Sequence, residues 1–413
     1  MKIRNLLLAG LAVAAMTACN NENDEFVNNG YQTGEKNAIM EFGIAFSNLT
    51  RATETGLSTE QDFKSATVII SYENGAKDVT VIPRSLFVES TPNVLYTKDK
   101  ITVQPGKATV DVVLNPTSAI ESALTGSNWF TSIYNTSAYQ TGEITGINDI
   151  TGENNFLMSS DGKTSAEFIA EQEVSALVKV SRVAAKLEET TPADNAFDVV
   201  NSSEGAVMKD HTGEPVEVTI SVSDYSYANL QTTSYVFPQE GTVITPSLFQ
   251  EYSLGSFAYR PITGIMNQYE EAFGSIVYCL ENYGSNHTMA IYQASATING
   301  EVQTFWVDRD NILYQSISEL KAVYTDIEAT TTIADCWNKY GVRKYENGIC
   351  YYKADILSNG KAEIIRNNVY KLKVTGITKL GLPEPKDEPK LATLELSVEV
   401  QQWTIQTNNF EFN

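Results

Sequence analysis

LATLELSVEVQQWTIQTNNFEFN, residues 391–413, ends the chain as a long candidate β-strand. Leu394, Leu396, Val398 and Val400 share one face at the two-residue period of extended backbone. Trp403 and Ile405 continue the apolar series with shifted parity, and a bulge at Gln401-Gln402 is expected to restore the face. Such a strand can pair with its own sheet or with another molecule's. Strand addition at an open edge supplies backbone hydrogen bonds along the whole length, and the alternate side chains fill pockets. Each buried Leu or Val contributes about 1.5–3 kcal/mol, so a series of such anchors makes a durable joint.

Just before this strand lies LPEPKDEPK, residues 382–390. Its prolines and mixed charge make a stiff hinge outside any sheet. Further upstream, short runs rich in Val, Ile, Thr and Tyr alternate with Gly, Asn, Asp and Pro breaks. They predict strands over 66–72, 77–82, 108–114, 215–222, 276–280, 289–298, 301–307 and 369–377. Regular short strands separated by turn signals indicate an all-β chain of β-sandwich domains. Short helices are expected only over 117–124 and 317–324. VKVSRVAAKLE, residues 178–188, reads as one strand, and a domain boundary is expected after it, within 188–205.

At the other end, IMEFGIAF (39–46) puts Met40, Phe42, Ile44 and Phe46 on one face. Asn48-Leu49-Thr50-Arg51-Ala52-Thr53 follows. Arg51 is the only basic residue between Lys36 and Lys64, which makes it an accessible site for an Arg-specific protease. An ordinary surface arginine fits the same residues.

The first residues are an export signal rather than a fold. Lys2 and Arg4 precede an apolar run, Leu6 to Met16, too short to span a membrane as a mature helix. Met16-Thr17-Ala18-Cys19 resembles a lipobox, where the chain is cut before Cys19 and the thiol is acylated. Two acyl chains on Cys19 anchor a protein stably at a membrane. Residues 20–37 are polar, rich in Asn and Glu, and read as a tether.

Composition narrows the function. The net charge of -22 argues against nucleic acid and against an anionic membrane surface, since both require basic patches. Cys19 aside, Cys279, Cys336 and Cys350 remain, with only two His in the chain. No metal-ligand spacing occurs, and no metal or cofactor is expected. The three thiols read as buried and inert, with a Cys336–Cys350 disulfide as the alternative. No G-x-S-x-G, P-loop, GxGxxG or HExxH is present, so no catalytic residues are named and the chain is not expected to be an enzyme. Asp308-Arg309-Asp310-Asn311 lacks the Gly and final Glu of a calcium loop and reads as a hairpin turn. Trp129, Trp306 and Trp337 read as packing residues rather than sugar platforms.

Three C-terminal segments carry a resemblance. GICYYKADI (348–356), IIRNNVYKLKVTGITKLG (364–381) and LSVEVQQWTIQTNNFEF (396–412) resemble, in order and spacing, the fimbrillin family of type V pili, in particular the major subunit of short, Mfa-type fimbriae. Arg366-Asn367-Asn368-Val369-Tyr370 is the most specific element. VDVVLN (110–115), FLMSS (156–160), VSRVAAKLE (180–188) and YCLEN (278–282) are weaker landmarks.

The resemblance implies two tandem transthyretin-like β-sandwich domains. It implies a signal peptide over 1–18, a propeptide over 19–51, an N-terminal domain over 52–190 and a C-terminal domain over 191–413. A precursor lipidated at Cys19 would reach the outer membrane. An Arg-specific protease would cut between Arg51 and Ala52 and remove the first strand. The C-terminal strand of a neighbouring subunit would then fill the groove, so the partners would be further copies and other fimbrial subunits. A cleavage site together with a complete donor strand favours a stalk subunit, with a tip adhesin or a surface glycan-binding lipoprotein as the alternative.

Overall fold

The structure is a computed structural model, and it describes residues 34–46, 53–55, 60, 62–91, 93–126, 139–140, 148–152, 155–199, 208–231, 233–238, 248–249, 259–263, 276–283, 286–358, 360–385 and 394–404. Strands make most of its regular structure, and among the described residues helix is confined to short pieces. In chain order the principal strands are β1 (Ala38–Phe46), β2 (Thr53–Thr55), β3 (Ser65–Tyr72), β4 (Lys77–Pro83), β5 (Phe87–Thr91), β6 (Val94–Thr97), β7 (Ile101–Val103), β8 (Gly106–Leu114), β9 (Met158–Ser160), β10 (Thr164–Phe168), β11 (Glu173–Arg182), β12 (Ala184–Glu189), β13 (Val218–Ala228), β14 (Ile276–Leu280), β15 (Met289–Ile298), β16 (Ile349–Asp355), β17 (Asn368–Ile377) and β18 (Leu394–Thr404).

The first sheet runs β4-β3-β8-β9-β11-β1-β6-β5, with β10 beside β8 and β7 beside β1. Its strands enclose one core, to which Phe42, Ile44, Val68, Val110 and Val178 contribute. A second sheet runs β2-β18-β17-β12-β14, and a third is built on β13, β15 and β16. A second core fills the space between these two sheets, with Leu187 and Leu372 from one and Ile220 and Tyr292 from the other. The fold is therefore all-β, of the sandwich kind that alternating strands dictate.

Most expected strands are found within two residues of their predicted ends. Two are broken where the chain changes sheets. Pro215–Val216 pairs with Met208–Asp210, whereas β13 begins at Val218 in another sheet. Glu301–Val302 pairs with β15, whereas Phe305–Val307 pairs with Arg343–Tyr345. The stretch 178–188 is likewise two strands. β11 ends the first sheet at Arg182, and β12 enters the second at Ala184. Both expected helices form, over Ser118–Thr125 and Ile317–Val323. Thr117 and Ser316 cap them, each side chain accepting a hydrogen bond from the backbone N–H three residues on.

The expected bulge at Gln401-Gln402 is absent. Gln401 and Gln402 pair regularly with Val369 and Asn368, and the irregularity lies on β17, between Val374 and Gly376.

Arg366 shows how the C-terminal half is held together. It is buried, and its Nε donates to Glu281 Oε2 at 2.8 Å while its Nη2 ion-pairs with Oε1 of the same carboxylate. Its remaining donors reach the carbonyls of Val236 at 3.0 Å and Tyr235 at 2.8 Å. The fork geometry of a guanidinium suits this bidentate contact. Removing one member leaves a buried charge without its counterion. Arg366→Ala is expected to cost about 3–5 kcal/mol, seen as a lower urea midpoint, with Glu281→Gln recovering part of the loss in the double variant.

Candidate functional site

β1 lies inside the first sheet. It runs parallel to β11 from Ile39 opposite Glu173 to Phe46 opposite Val180. On its other side it is antiparallel to β7, with Met40 opposite Ile101, and to β6, with Gly43 opposite Tyr96. Both edges of its backbone are therefore hydrogen-bonded, and its ends are tied by Ile39 N–H to the Gln172 carbonyl and Phe46 N–H to the Asn93 carbonyl, each at 3.0 Å. Met40, Phe42, Ile44 and Phe46 point into the core and are at most 5% exposed. Phe42 meets Phe87 edge-on at 6.3 Å, and Phe46 meets Phe63 at 6.5 Å. β1 is an interior strand, because β6 and β7 return to cover its second side.

Gly43 has its own reason. A Cβ there would come within 2.7 Å of the Tyr96 ring and 3.0 Å of the Leu177 side chain. The glycine lets these two side chains close over the outer face of the strand. Sequence reasoning missed this, although a glycine inside an apolar period was the available signal.

β18 lies antiparallel to β17 from Leu394 opposite Ile377 to Gln402 opposite Asn368. Leu394, Leu396, Val398 and Val400 are half-buried and pack against the second core. β2 pairs with β18 in parallel only over Gln402–Thr404. Among the described residues, no strand pairs with the outer edge of β18 from Leu394 to Gln401. Trp403 lies in the strand, opposite Glu54. Cys19, Arg51, Ala52 and Ile405 lie outside the described residues.

Residues 47–52 connect β1 in the first sheet to β2 in the second. Soon after β2 comes Glu60, fully buried. Its carboxylate ion-pairs with Lys186 at 3.3 Å and accepts a hydrogen bond from the Tyr278 hydroxyl. Its backbone carbonyl accepts from Arg182 Nη2 at 2.9 Å. Asn367 Oδ1 accepts from the Arg182 backbone N–H at 3.1 Å, and Asn367 donates its own N–H to the Ala184 carbonyl at 2.9 Å. This cluster sits where the chain crosses from β11 to β12. Burial pulls the Arg182 guanidinium down to about 10 against the opposing pull of Glu60, and burial pushes Tyr278 up, reinforced by the same carboxylate. The chain is thus pinned at Glu60, downstream of Arg51. A lone acidic residue in a polar stretch gave no signal of this role.

The remaining candidates take structural places. Asp308 Oδ1 accepts from the N–H groups of Asp310 and Ile312 at 2.9 and 3.0 Å, so its carboxylate closes the expected turn. Cys279, Cys336 and Cys350 are buried free thiols. Cys336 and Cys350 belong to different clusters, and burial pushes Cys350 up to about 12. Trp306 is buried, Trp337 stacks under Arg343 at 4.3 Å, and Trp129 lies outside the described residues.

Comparison with known proteins agrees with this architecture. Residues 343–409 match the family described as major fimbrial subunit protein type IV, fimbrillin, C-terminal. No curated protein sequence matches. Among solved structures, a provisionally described cell adhesion protein from Parabacteroides distasonis is 14% identical, with 90% of this chain and 99% of its own covered and a TM-score of 0.50. A second from the same organism is 15% identical, with 89% and 99% covered and a TM-score of 0.50. A fimbrilin from Porphyromonas gingivalis is 14% identical, with 91% and 99% covered and a TM-score of 0.47. The resemblance read from the sequence therefore has independent support: residues 343–409 match the C-terminal model of the fimbrillin family, and the chain shares its fold with the two Parabacteroides proteins.

Proposed function

We propose that this chain is the stalk subunit of a cell-surface fimbrium, polymerised by donor-strand exchange after cleavage between Arg51 and Ala52. The observation that supports it most is the setting of β1. A strand buried on one face and hydrogen-bonded on both edges leads directly into the segment that holds Arg51. Losing that strand uncovers an apolar groove and leaves β11 on one side, with β6 and β7 on the other, bearing unpaired backbone groups. A second strand is the only element that satisfies both edges. β18 has the length, the alternating face and, over Leu394–Gln401, an outer edge paired by no strand among the described residues.

In this reading the chain is exported with a signal peptide over 1–18 and lipidated at Cys19. It reaches the outer membrane carrying a propeptide over 19–51. Cleavage separates the body from the lipid and the first strand together. The body comprises an N-terminal domain, 52–190, and a C-terminal domain, 191–413, with the chain passing from β11 of the first sheet to β12 of the second at Val183. Its partners are further copies of itself, other fimbrial subunits and an Arg-specific protease. The Glu60 cluster keeps the newly exposed N-terminal segment bound to the body after the cut.

Treatment of the exported precursor with an Arg-specific protease is expected to give heat-resistant ladders on denaturing gels. Arg51→Ala should abolish them, and ladders that survive this change would rule the mechanism out. Deleting 391–413 should leave cleaved monomers in place of ladders. The protein recovered from fibres should begin at Ala52 by N-terminal sequencing; a blocked Cys19 would instead indicate a permanent anchor. Saturable glycan binding by the monomer, without polymerisation, would favour the tip-adhesin alternative.

A further inference from the structure

The two end strands carry the same alternation of apolar residues. AIMEFGIAF (38–46) and ATLELSVEV (392–400) align without a gap at an offset of 354. Ala392 falls on Ala38, Leu394 on Met40, Glu395 on Glu41, Leu396 on Phe42, Val398 on Ile44 and Val400 on Phe46. Ser397 falls on Gly43. Building on exchange as proposed above, we infer that a second copy's residues 392–400 replace residues 38–46 in this register and in the same direction, parallel to β11, with Ser397 in the slot of Gly43.

Three observations fix the register. The outer face of β1 is closed at Gly43 by Tyr96 and Leu177, so any side chain placed there must displace the Tyr96 ring, and a small one displaces it least. Among the outward residues Glu395, Ser397, Glu399 and Gln401, Ser397 is the smallest. Even serine requires the Tyr96 ring to swing aside, and a glutamate from a two-residue slip would meet both side chains. In the inferred register Glu399 takes the place of Ala45, which lies opposite Lys179 of β11. Lys179 is exposed on that face, and an opposite charge beside it is favourable across neighbouring strands. Ala45 offers it nothing.

Direction follows from the other end of the groove. With Ser397 kept at Gly43 and the strand reversed, Gln402 would occupy the place of Ala38, which is fully buried. A buried amide without partners is costly. In the parallel direction that place receives Ala392.

The alignment also accounts for timing. Leu396 and Val400 are smaller than Phe42 and Phe46, whose rings contact Phe87 and Phe63. The chain's own strand therefore fits the groove better than its replacement, and it is held there covalently. The donor prevails only after the incumbent is gone. Its apolar side chains are half-buried at home and would occupy places that are almost wholly buried in the groove.

Cysteine cross-linking in the full-length cleaved protein tests this. Ala45 lies opposite Val94 in β6. The variant Val94→Cys/Glu399→Cys, both outward positions, should give on oxidation a ladder that survives boiling and collapses with reductant. Wild type, whose remaining cysteines are buried, should give ladders insensitive to reductant. Cross-linking by Val94→Cys/Glu395→Cys instead would show the reversed strand. Cross-linking by Tyr96→Cys/Glu399→Cys would show a two-residue slip. Either result overturns the inferred register while leaving exchange standing, as would heat-resistant ladders without any of these links. No heat-resistant ladder from wild type would overturn exchange itself. As a second measurement, Lys179→Glu should slow ladder formation several-fold, and Glu399→Lys in the donor should restore it.

Discussion

The structure of the first domain depends on a strand with a neighbour on each side. β1 closes the gap between β11 and the β6–β7 pair, and the core beneath it is completed by Met40, Phe42, Ile44 and Phe46. An edge strand can be lost and leave a smaller sheet behind. An interior strand cannot, because its removal opens two rows of hydrogen-bonding groups and a trench in the core simultaneously. Close-packed interiors do not flow to fill such a trench. The vacancy is therefore specific: it is one strand wide, two-sided in its hydrogen bonding and patterned by the residues that lined it.

Much of this was legible in the sequence, for a physical reason. The period of two is a local property, so Met40 to Phe46 and Leu394 to Val400 declare their faces from their own residues. Pairing is not local. Ile39 meets Glu173 across more than a hundred residues, and nothing in either segment says that β11 on one side and β6 and β7 on the other will enclose β1. The break at Val183 was hidden because apolar residues continue through it; the chain changes sheets while its composition does not. The bulge was misplaced because parity was read from Trp403 and Ile405, whereas the irregularity belongs to the partner strand near Gly376.

The Arg366-to-Tyr370 segment shows what a specific motif can encode without chemistry. Arg366 neutralises Glu281, Asn367 adopts a left-handed backbone with φ of 56° and binds Arg182, and Val369 reaches the first core while Tyr370 fills the second. Asn tolerates that backbone better than most residues, and its amide oxygen reaches the end of β11 at Arg182. Consecutive residues thus address both cores and the junction between them. Each requirement is tertiary, so the sequence displayed a distinctive string but not its purpose.

The charge of the chain bears on how copies can join. At -22, two subunits repel at long range, and salt screens that repulsion beyond about 8 Å at physiological ionic strength. A joint made of surface ion pairs would be weak and would have to overcome that field. A joint made by burying an apolar strand is almost indifferent to it, since its free energy comes from water released and from backbone groups paired out of solvent. The only charges such a joint must accommodate are those on the outward face of the strand itself. Glu395 would stand where Glu41 already stands, and Glu399 would stand beside Lys179. An acidic subunit can therefore remain apart from its neighbours until a groove opens, and then be joined by a contact that its net charge does little to oppose.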